Sequence, residues 1–345
     1  MLMKRLLAIL FPVFLFAQTP YQKPPKAIED VLNAPTPPNV SVSPTRDYAI
    51  LTESVRYPTI AELSEPMLRL AGHRINPKTN GQHMEPRVVS ITVKKLADGT
   101  ETKVALPPSA RVSPPSWSPD GKHFAFANPT SRGIQLWVGI TATGAVRQIT
   151  GVRLNETMTG GGGGGGGGGF GASNRAFRWL PGSRQLVVRT VPTGRGPAPA
   201  ADAPPSGPNI QENMGKAGPV PTYEDLLKGV QDEKLFDYYF TAQLGIVDLT
   251  GGTITPIGKP AIFEAVDPSP DGKHILVASL HKPFSYQYPS NHFPKEAEVW
   301  DRSGKVEYKV ASLPLADSLP LDGVDRKSTR LNSSHIQKSR MPSSA

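Results

Sequence analysis

Ser118-Pro119-Asp120-Gly121-Lys122-His123 recurs in this chain as Ser269-Pro270-Asp271-Gly272-Lys273-His274. Each copy runs into an apolar stretch, His123-Phe124-Ala125-Phe126-Ala127 and Ile275-Leu276-Val277-Ala278-Ser279. Two looser copies keep the frame: Ser43-Pro44-Thr45-Arg46-Asp47 before Tyr48-Ala49-Ile50-Leu51, and Leu180-Pro181-Gly182-Ser183-Arg184 before Gln185-Leu186-Val187-Val188. Pro presets φ for the first central position of a type I turn, Asp follows, and Gly accepts the positive φ that closes such a hairpin with a bulge. The nearly continuous apolar run behind the turn suits a strand covered on both faces. Inner strands of a β-propeller are covered in that way, sandwiched between neighbouring blades. Four unrelated hairpins in a sandwich is the plainer alternative, but a turn-and-strand unit recurring at one structural position is the mark of a repeat. The expected fold class is all-β: a partial β-propeller, about four blades of a larger ring, interrupted by Pro/Gly-rich insertions.

Working outward from the four turns gives four units. The first pairs Val40–Ser43 with Tyr48–Ser54, then resumes with Arg87–Leu96 and Thr100–Leu106 after an insertion, Tyr57–Gln82, that predicts one helical turn beside loops. The second has Trp117, Phe124–Ala127, Ile134–Ile140 and Ala145–Ile149. The third starts at Phe177-Arg178-Trp179 and Gln185–Val191, and is completed past a long insertion by Tyr239–Leu249 and Thr253–Ile257. The fourth comprises Phe263–Val266, His274–Leu280, Ala297–Asp301 and Lys305–Val310. An open arc of four blades leaves an apolar face on each terminal blade, which predicts poor solubility of the arc alone.

The two ends read differently. Lys4 and Arg5, the apolar run Leu6–Phe16 and the small residue Ala17 have the layout of a secretory signal peptide over residues 1–17. The run is short for a membrane span. Residues 18–38 form a Pro-rich N-terminal arm, and residues 39–324 the truncated propeller. Residues 325–345 read, codon by codon on both sides of a short variable stretch, as the translation of a common short-read sequencing adapter beginning GATCGGAAGAGC. That tail is expected to be an assembly artefact. Of the formal net charge of +9, Lys4 and Arg5 supply two and residues 325–345 a net four, leaving +3 for residues 18–324. The basic balance is therefore no argument for nucleic acid or an anionic membrane as partner. With no cysteine there are no disulfides, and stability rests on the β core.

Few residues suggest chemistry. Gly160–Gly169 lacks the following Gly-Lys-Ser/Thr of a phosphate loop and reads as a surface loop. His73, His83, His123, His274, His281 and His292 show no metal-ligand spacing, so no metal ligand and no cofactor are expected. Glu224-Asp225 and Asp232-Glu233 are read as the solvated face of a short helix whose apolar side is Leu226, Leu227 and Leu235. Phe236, Tyr238, Tyr239 and Phe240 read as blade packing. Arg175, Arg178, Arg184 and Arg189 lie near one blade's start, and the sequence does not say which of them point inward.

The most specific text is Gly207-Pro208-Asn209-Ile210-Gln211-Glu212-Asn213, Thr222-Tyr223-Glu224-Asp225-Leu226-Leu227-Lys228 and Asp232-Glu233-Lys234-Leu235-Phe236-Asp237-Tyr238-Tyr239. With Lys26–Pro35, Glu65–Ile75, His281–Tyr286 and Phe293–Trp300, it resembles the glutamyl endopeptidase branch of the prolyl oligopeptidase family of serine peptidases. The resemblance implies an exported, periplasmic or secreted enzyme of two domains: a propeller of about seven blades, and an α/β-hydrolase domain with a Ser-Asp-His triad that cleaves peptides after acidic residues. The propeller would gate access to the triad. No Gly-x-Ser-x-Gly elbow occurs in these residues and no strand–helix alternation follows the fourth unit, so the hydrolase domain is absent from this chain. No catalytic residue is assigned; Ser118 and Ser269 are turn residues. The implied partner is a peptide substrate handled through the missing domain, with no nucleic acid and no stable membrane insertion once the leader is cleaved. The competing reading is a non-enzymatic periplasmic propeller of the TolB type that binds protein or glycan, since such modules carry similar turn phrases.

Overall fold

A computed structural model describes residues 23–83, 88–159, 175–200 and 223–316. The expected leader, the Gly160–Gly169 tract, the Gly207–Asn213 motif and the 325–345 tail lie outside the described residues. Residues up to Pro37 form a unit of their own. It holds α1 (Lys26–Asn33), in which Lys26 and Asp30 pair one turn apart at 2.9 Å and no side chain is buried.

The rest of the chain from Pro38 is a series of antiparallel meanders. The first blade begins with β1 (Asn39–Val42) and β2 (Tyr48–Ser54), then detours through α2 (Ile60–Leu63), β3 (Leu68–Leu70), β4 (His73–Asn76) and β5 (Gly81–Gln82). It closes with β6 (Val88–Lys95) and β7 (Glu101–Lys103), giving the strand order β1-β2-β6-β7. The second blade is β8 (Ser116–Trp117), β9 (His123–Thr130), β10 (Gly133–Ile140) and β11 (Val146–Leu154). The third is β12 (Phe177–Trp179), β13 (Gln185–Thr190), then α3 (Val230–Phe240), β14 (Thr241–Asp248) and the first half of β15 (Ile254–Pro268). The second half of β15 starts the fourth blade, continued by β16 (His274–Leu280), β17 (Lys295–Asp301) and β18 (Val306–Leu313). The chain is all-β with four four-stranded blades in an open arc; β1 and β7 end the first sheet, and β8 and β18 end the second.

All four turns close alike, although only two have glycine at the fourth position. The first amide of the phrase donates to the carbonyl five residues on in each: Ser43 to Tyr48 (2.8 Å), Ser118 to His123, Leu180 to Gln185 and Ser269 to His274 (2.9 Å each). The fourth residue is left-handed every time: Arg46 (φ 61°), Gly121 (68°), Ser183 (57°) and Gly272 (69°). In the full phrase the serine hydroxyl donates to the aspartate (Ser118 to Asp120, 2.6 Å; Ser269 to Asp271, 2.5 Å) and accepts the histidine amide. Each aspartate then takes the following lysine amide at 3.0 Å, which completes a side-chain copy of a backbone turn. Successive turns also meet one another. Ser183 Oγ accepts the Asp120 amide at 3.0 Å, and an added Cβ on Gly121 or Gly272 would press on Thr45 or Pro181 of the preceding blade.

Each junction between blades is a separate apolar core. Phe124, Ala125, Phe126 and Ala127 are all fully buried, as a strand covered on both faces requires. Phe124 and Phe126 face Ile50, Ile91 and Val93 of the first blade, while Ala125 and Ala127 join Leu136, Leu186, Val188 and Phe177 at the second junction. The third junction packs Leu244, Ile246 and Val187 against Phe263, Ile275 and Trp300. Burying each such side chain contributes about 1.5–3 kcal/mol. Gly139 is required within β10 because the Phe124 ring lies where its Cβ would be.

Several expectations need correction. Thr253–Ile257 and Phe263–Val266 are one strand, β15, bent at Gly258 (φ +60°); it pairs first with β14 and then with β16, joining the third and fourth blades, and the pairing of Leu154 in β11 with Thr190 in β13 adds the second to make one sheet of eleven strands. The Tyr57–Gln82 insertion has its helical turn, α2, capped by reciprocal Thr59–Glu62 bonds. It also holds a small sheet, β3-β4-β5, whose strands of two to four residues are too short to show a period. Tyr239 and Phe240 finish α3 rather than starting β14, because Phe236 and Phe240, four residues apart, must share one buried face. The terminal faces are exposed at Val40 and Val42 on β1 and at Val306, Tyr308 and Val310 on β18.

The turn geometry sets two substitutions against each other. Arg46→Gly should stabilise the protein by about 0.5–1 kcal/mol by relieving a left-handed non-glycine. Gly272→Ala should cost about 1–2 kcal/mol, since it adds that strain and brings a Cβ to 3.2 Å from Pro181. Urea midpoints read both, and shifts of the same sign would contradict the shared turn.

Candidate functional site

In an antiparallel meander the links from second to third strand, and from fourth strand to the next blade, leave one edge, while the remaining links leave the other. The insertions after β2, β13 and β16, and the link after β11, therefore share one edge, opposite the Ser-Pro-Asp-Gly turns. Among the described residues, the stretches Glu65–Ile75, Tyr223–Lys228, Asp232–Tyr239 and His281–Tyr286 belong to these insertions.

They assemble into a cap. Asn80, from the first blade's insertion, and Asn155, from the link after β11, each donate a side-chain N–H to Tyr239 O at 3.0 Å. These bonds satisfy a carbonyl that the end of α3 leaves open. Ala71 O accepts the amide of Ser290 in the fourth blade's insertion, and Gly72 N–H donates to Asp225 O, both at 2.9 Å. A Cβ on Gly72 (φ +87°) would lie 2.7 Å from Pro289, so glycine permits this close approach. One insertion thus touches segments belonging to the later blades and straps the arc from its first blade to its last. Beneath it Phe236, Phe240, Phe284 and Phe293 pack with ring centroids 4.3–5.7 Å apart, against Leu70, Ile75, Leu227 and Leu280.

The outside of the cap is charged. Arg74 bonds Asp225 at 2.6 Å and Glu224 at 2.7 Å, and Arg69 lies 3.5 Å from Asp225. Glu224-Asp225 therefore sits ahead of α3 as an ion-paired corner, not on the helix's solvated face, and only Asp232, Glu233 and Leu235 of that expected helix are in α3. Lys282 reaches Asp237 at 2.8 Å and Glu233 at 3.6 Å. Tyr286 donates to Glu233 at 2.5 Å, and this bond with partial burial and the nearby carboxylates pushes the phenol up to about 12. The pairings of Lys282, Tyr286, Asn80 and Asn155 carried no signal in the sequence, because each acts through a partner more than forty residues away.

The remaining candidates are structural in their contacts. Ser269, Asp271 and His274 have the composition of a catalytic triad but the wrong order of bonds: the serine proton goes to Asp271, and His274 Nε2 faces Glu307 at 2.9 Å. A nucleophile would need its hydroxyl on the imidazole. Arg178 meets Asp267 at 3.3 Å across two inner strands, Arg175 donates to Pro114 O at 2.8 Å, Arg189 is buried with Nη1 on Phe263 O at 2.9 Å, and Arg184 is exposed. His73 is no surface histidine: it is buried, with Nε2 2.8 Å from Ser290 Oγ and its ring against Phe240. His83, His281 and His292 lie against backbone carbonyls, and His123 against Trp179. Among the described residues no three of His, Cys, Asp or Glu cluster as a metal site would need.

Burial lowers the His73 pKa to about 4 from 6.5. The unfolded chain then takes up the proton first as pH falls, so stability declines from about pH 6.5 and levels off below about 4, with a total of about 3 kcal/mol. His73→Gln should flatten that part of the stability–pH curve; an unchanged slope between pH 6.5 and 4 would place the titration elsewhere.

No family model matches the chain. It is 34% identical over 313 residues to the probable glutamyl endopeptidase, chloroplastic, of Oryza sativa subsp. japonica, covering 87% of this chain and 32% of that protein. The protein of the same name from Arabidopsis thaliana is 34% identical over 314 residues, 88% of this chain and 31% of its own. The chain thus spans about a third of the length of the curated relatives it matches. Among solved structures, Pyrococcus horikoshii acylaminoacyl peptidase aligns with 81% of this chain and 32% of its own, at 14% identity and a TM-score of 0.44. The β-propeller domain of the Trilobed protease from Pyrococcus furiosus aligns over 80% and 58%, at 13% and 0.40. Along nearly its whole length the chain is thus similar to about a third of the two plant proteins named probable glutamyl endopeptidase.

Proposed function

We propose that this chain is the substrate-gating propeller of an exported serine peptidase that cleaves peptides after acidic residues, and that it has no peptidase activity of its own. The observation that carries the reading is the cap. The stretches most particular to the family, Glu65–Ile75, Tyr223–Lys228, Asp232–Tyr239 and His281–Tyr286, meet in one layer on one edge of the arc. A binding propeller has no need for such a strap, whereas a gate needs a rigid rim beside the opening it controls.

In this reading the chemistry is acyl transfer by a Ser-His-Asp triad in a separate α/β-hydrolase domain, with backbone N–H groups holding the oxyanion. The propeller contributes exclusion: a folded protein does not pass the rim, while a short or unfolded peptide does. Export rests on the residue 1–17 leader.

Two measurements test this. A fluorophosphonate probe should label no serine in this chain, and a Glu-containing peptide should stay intact with it; labelling of any serine would refute the assignment. Expressed with its leader, the protein should appear outside the cytoplasm with an N-terminus at Gln18, and retention of Met1 on exported protein would contradict a cleaved signal.

A further inference from the structure

Beside α3 lies a pocket of about 440 Å³ open to solvent, walled by Pro192, Pro260, Tyr238 and Thr241, with Arg195 and Lys234 as its cations. That volume lies in the usual range for a small-ligand site. Arg195 is held in an unusual way. It stands between Gly194 (φ +74°) and Gly196 (φ +56°), two left-handed positions that fold the loop back on itself. Its guanidinium lies 4.0 Å from the centroid of the Tyr238 ring, and Nη1 donates to Tyr238 O at 3.0 Å. Tyr238 in turn donates its hydroxyl to Gly196 O at 2.9 Å, so each residue fixes the other.

Stacking takes the face of the guanidinium, and a single N–H serves the carbonyl. The other N–H groups remain along its edge. Among the described residues, no carboxylate pairs with Arg195. Asp237 borders the pocket, but its carboxylate is drawn to Lys282 at 2.8 Å. Burial, with Arg153 close by, lowers the Arg195 pKa. A preorganised planar fork with apolar walls matches a planar acceptor of two oxygens on a chain with apolar bulk, which is a carboxylate of a peptide. Phosphate is the poorer fit, since it calls for several converging donors where this pocket offers one fork.

We propose that this pocket is a binding site for a peptide carboxylate, with Arg195 as the anion-recognising residue, Tyr238 as its positioning residue and Pro192 and Pro260 as the walls against which the peptide lies. The choice of a peptide rests on the gating function proposed above; the choice of a carboxylate rests on the pocket alone. Such a site on the rim would select acidic peptides before they reach any catalytic domain.

Binding to the 345-residue chain can be followed by heteronuclear NMR or calorimetry with three blocked tripeptides. Acetyl-Ala-Glu-Ala-amide carries a side-chain carboxylate, acetyl-Ala-Gln-Ala with a free C-terminus carries a terminal one, and acetyl-Ala-Gln-Ala-amide carries none. The first should bind at least tenfold more tightly than the third at low salt, with the preference shrinking as ionic strength rises. A stronger response to the second peptide would identify the terminal carboxylate as the group recognised, still at Arg195. Arg195→Gln should abolish the preference, and Arg195→Lys should keep only part of it. Equal binding of all three peptides to the unmodified protein, which involves no variant that might misfold, would overturn the proposal. So would a preference that survives Arg195→Gln. Neither result touches the peptidase reading, which is decided by serine reactivity and cleavage rather than by binding.

Discussion

A propeller blade has two apolar faces, and it buries both only when another blade stands on each side. That constraint organises this structure. It makes β9 apolar at consecutive positions, so that Phe124 and Phe126 serve one junction while Ala125 and Ala127 serve the next. It also leaves the arc with two unfinished ends, at β1 and β18, where valines and a tyrosine lie exposed.

The cap answers the mechanical weakness of an arc. Nearest-neighbour packing alone ties each blade only to the next, so a row of blades is free to flex at every junction. Here one insertion of the first blade reaches across to α3 and to Ser290, and four phenylalanines form a core above the junctions. On the opposite edge the repeated turns touch in sequence, through the Ser183 hydroxyl and the prolines and glycines of adjoining blades. The two edges thus differ in kind. One is a repeating rim of tight turns, and the other a single built surface with ion pairs, an aromatic core and a cationic pocket.

Much of the fold was legible because it is local. A turn is defined by six residues, and its chemistry tolerates Arg46 and Ser183 at the left-handed position at a cost of about a kcal/mol each. The strands following the turns could be placed from their apolar runs. What escaped were elements too short or too mixed to show a period: β3, β4 and β5, and the end of α3, where Phe236-Asp237-Tyr238-Tyr239-Phe240 has strand-like composition but helical spacing of its two buried rings. The charged corner at Glu224-Asp225 was misread for a different reason. Its partner Arg74 lies about 150 residues earlier, and no local pattern announces a pair at that separation.

The sequence by itself determined the repeat and the number of blades and carried the resemblance to the glutamyl endopeptidases, since turn chemistry, strand periodicity and sequence motifs are carried by neighbouring residues. Only the tertiary structure decided that the family motifs converge on one edge and that Asp237 turns to Lys282. It alone placed Arg195 in a pocket whose bordering carboxylate, Asp237, is bonded to Lys282. Those outcomes depend on which of several possible partners lies within about 3 Å, and that is fixed by the packing of distant segments, which a linear pattern does not record.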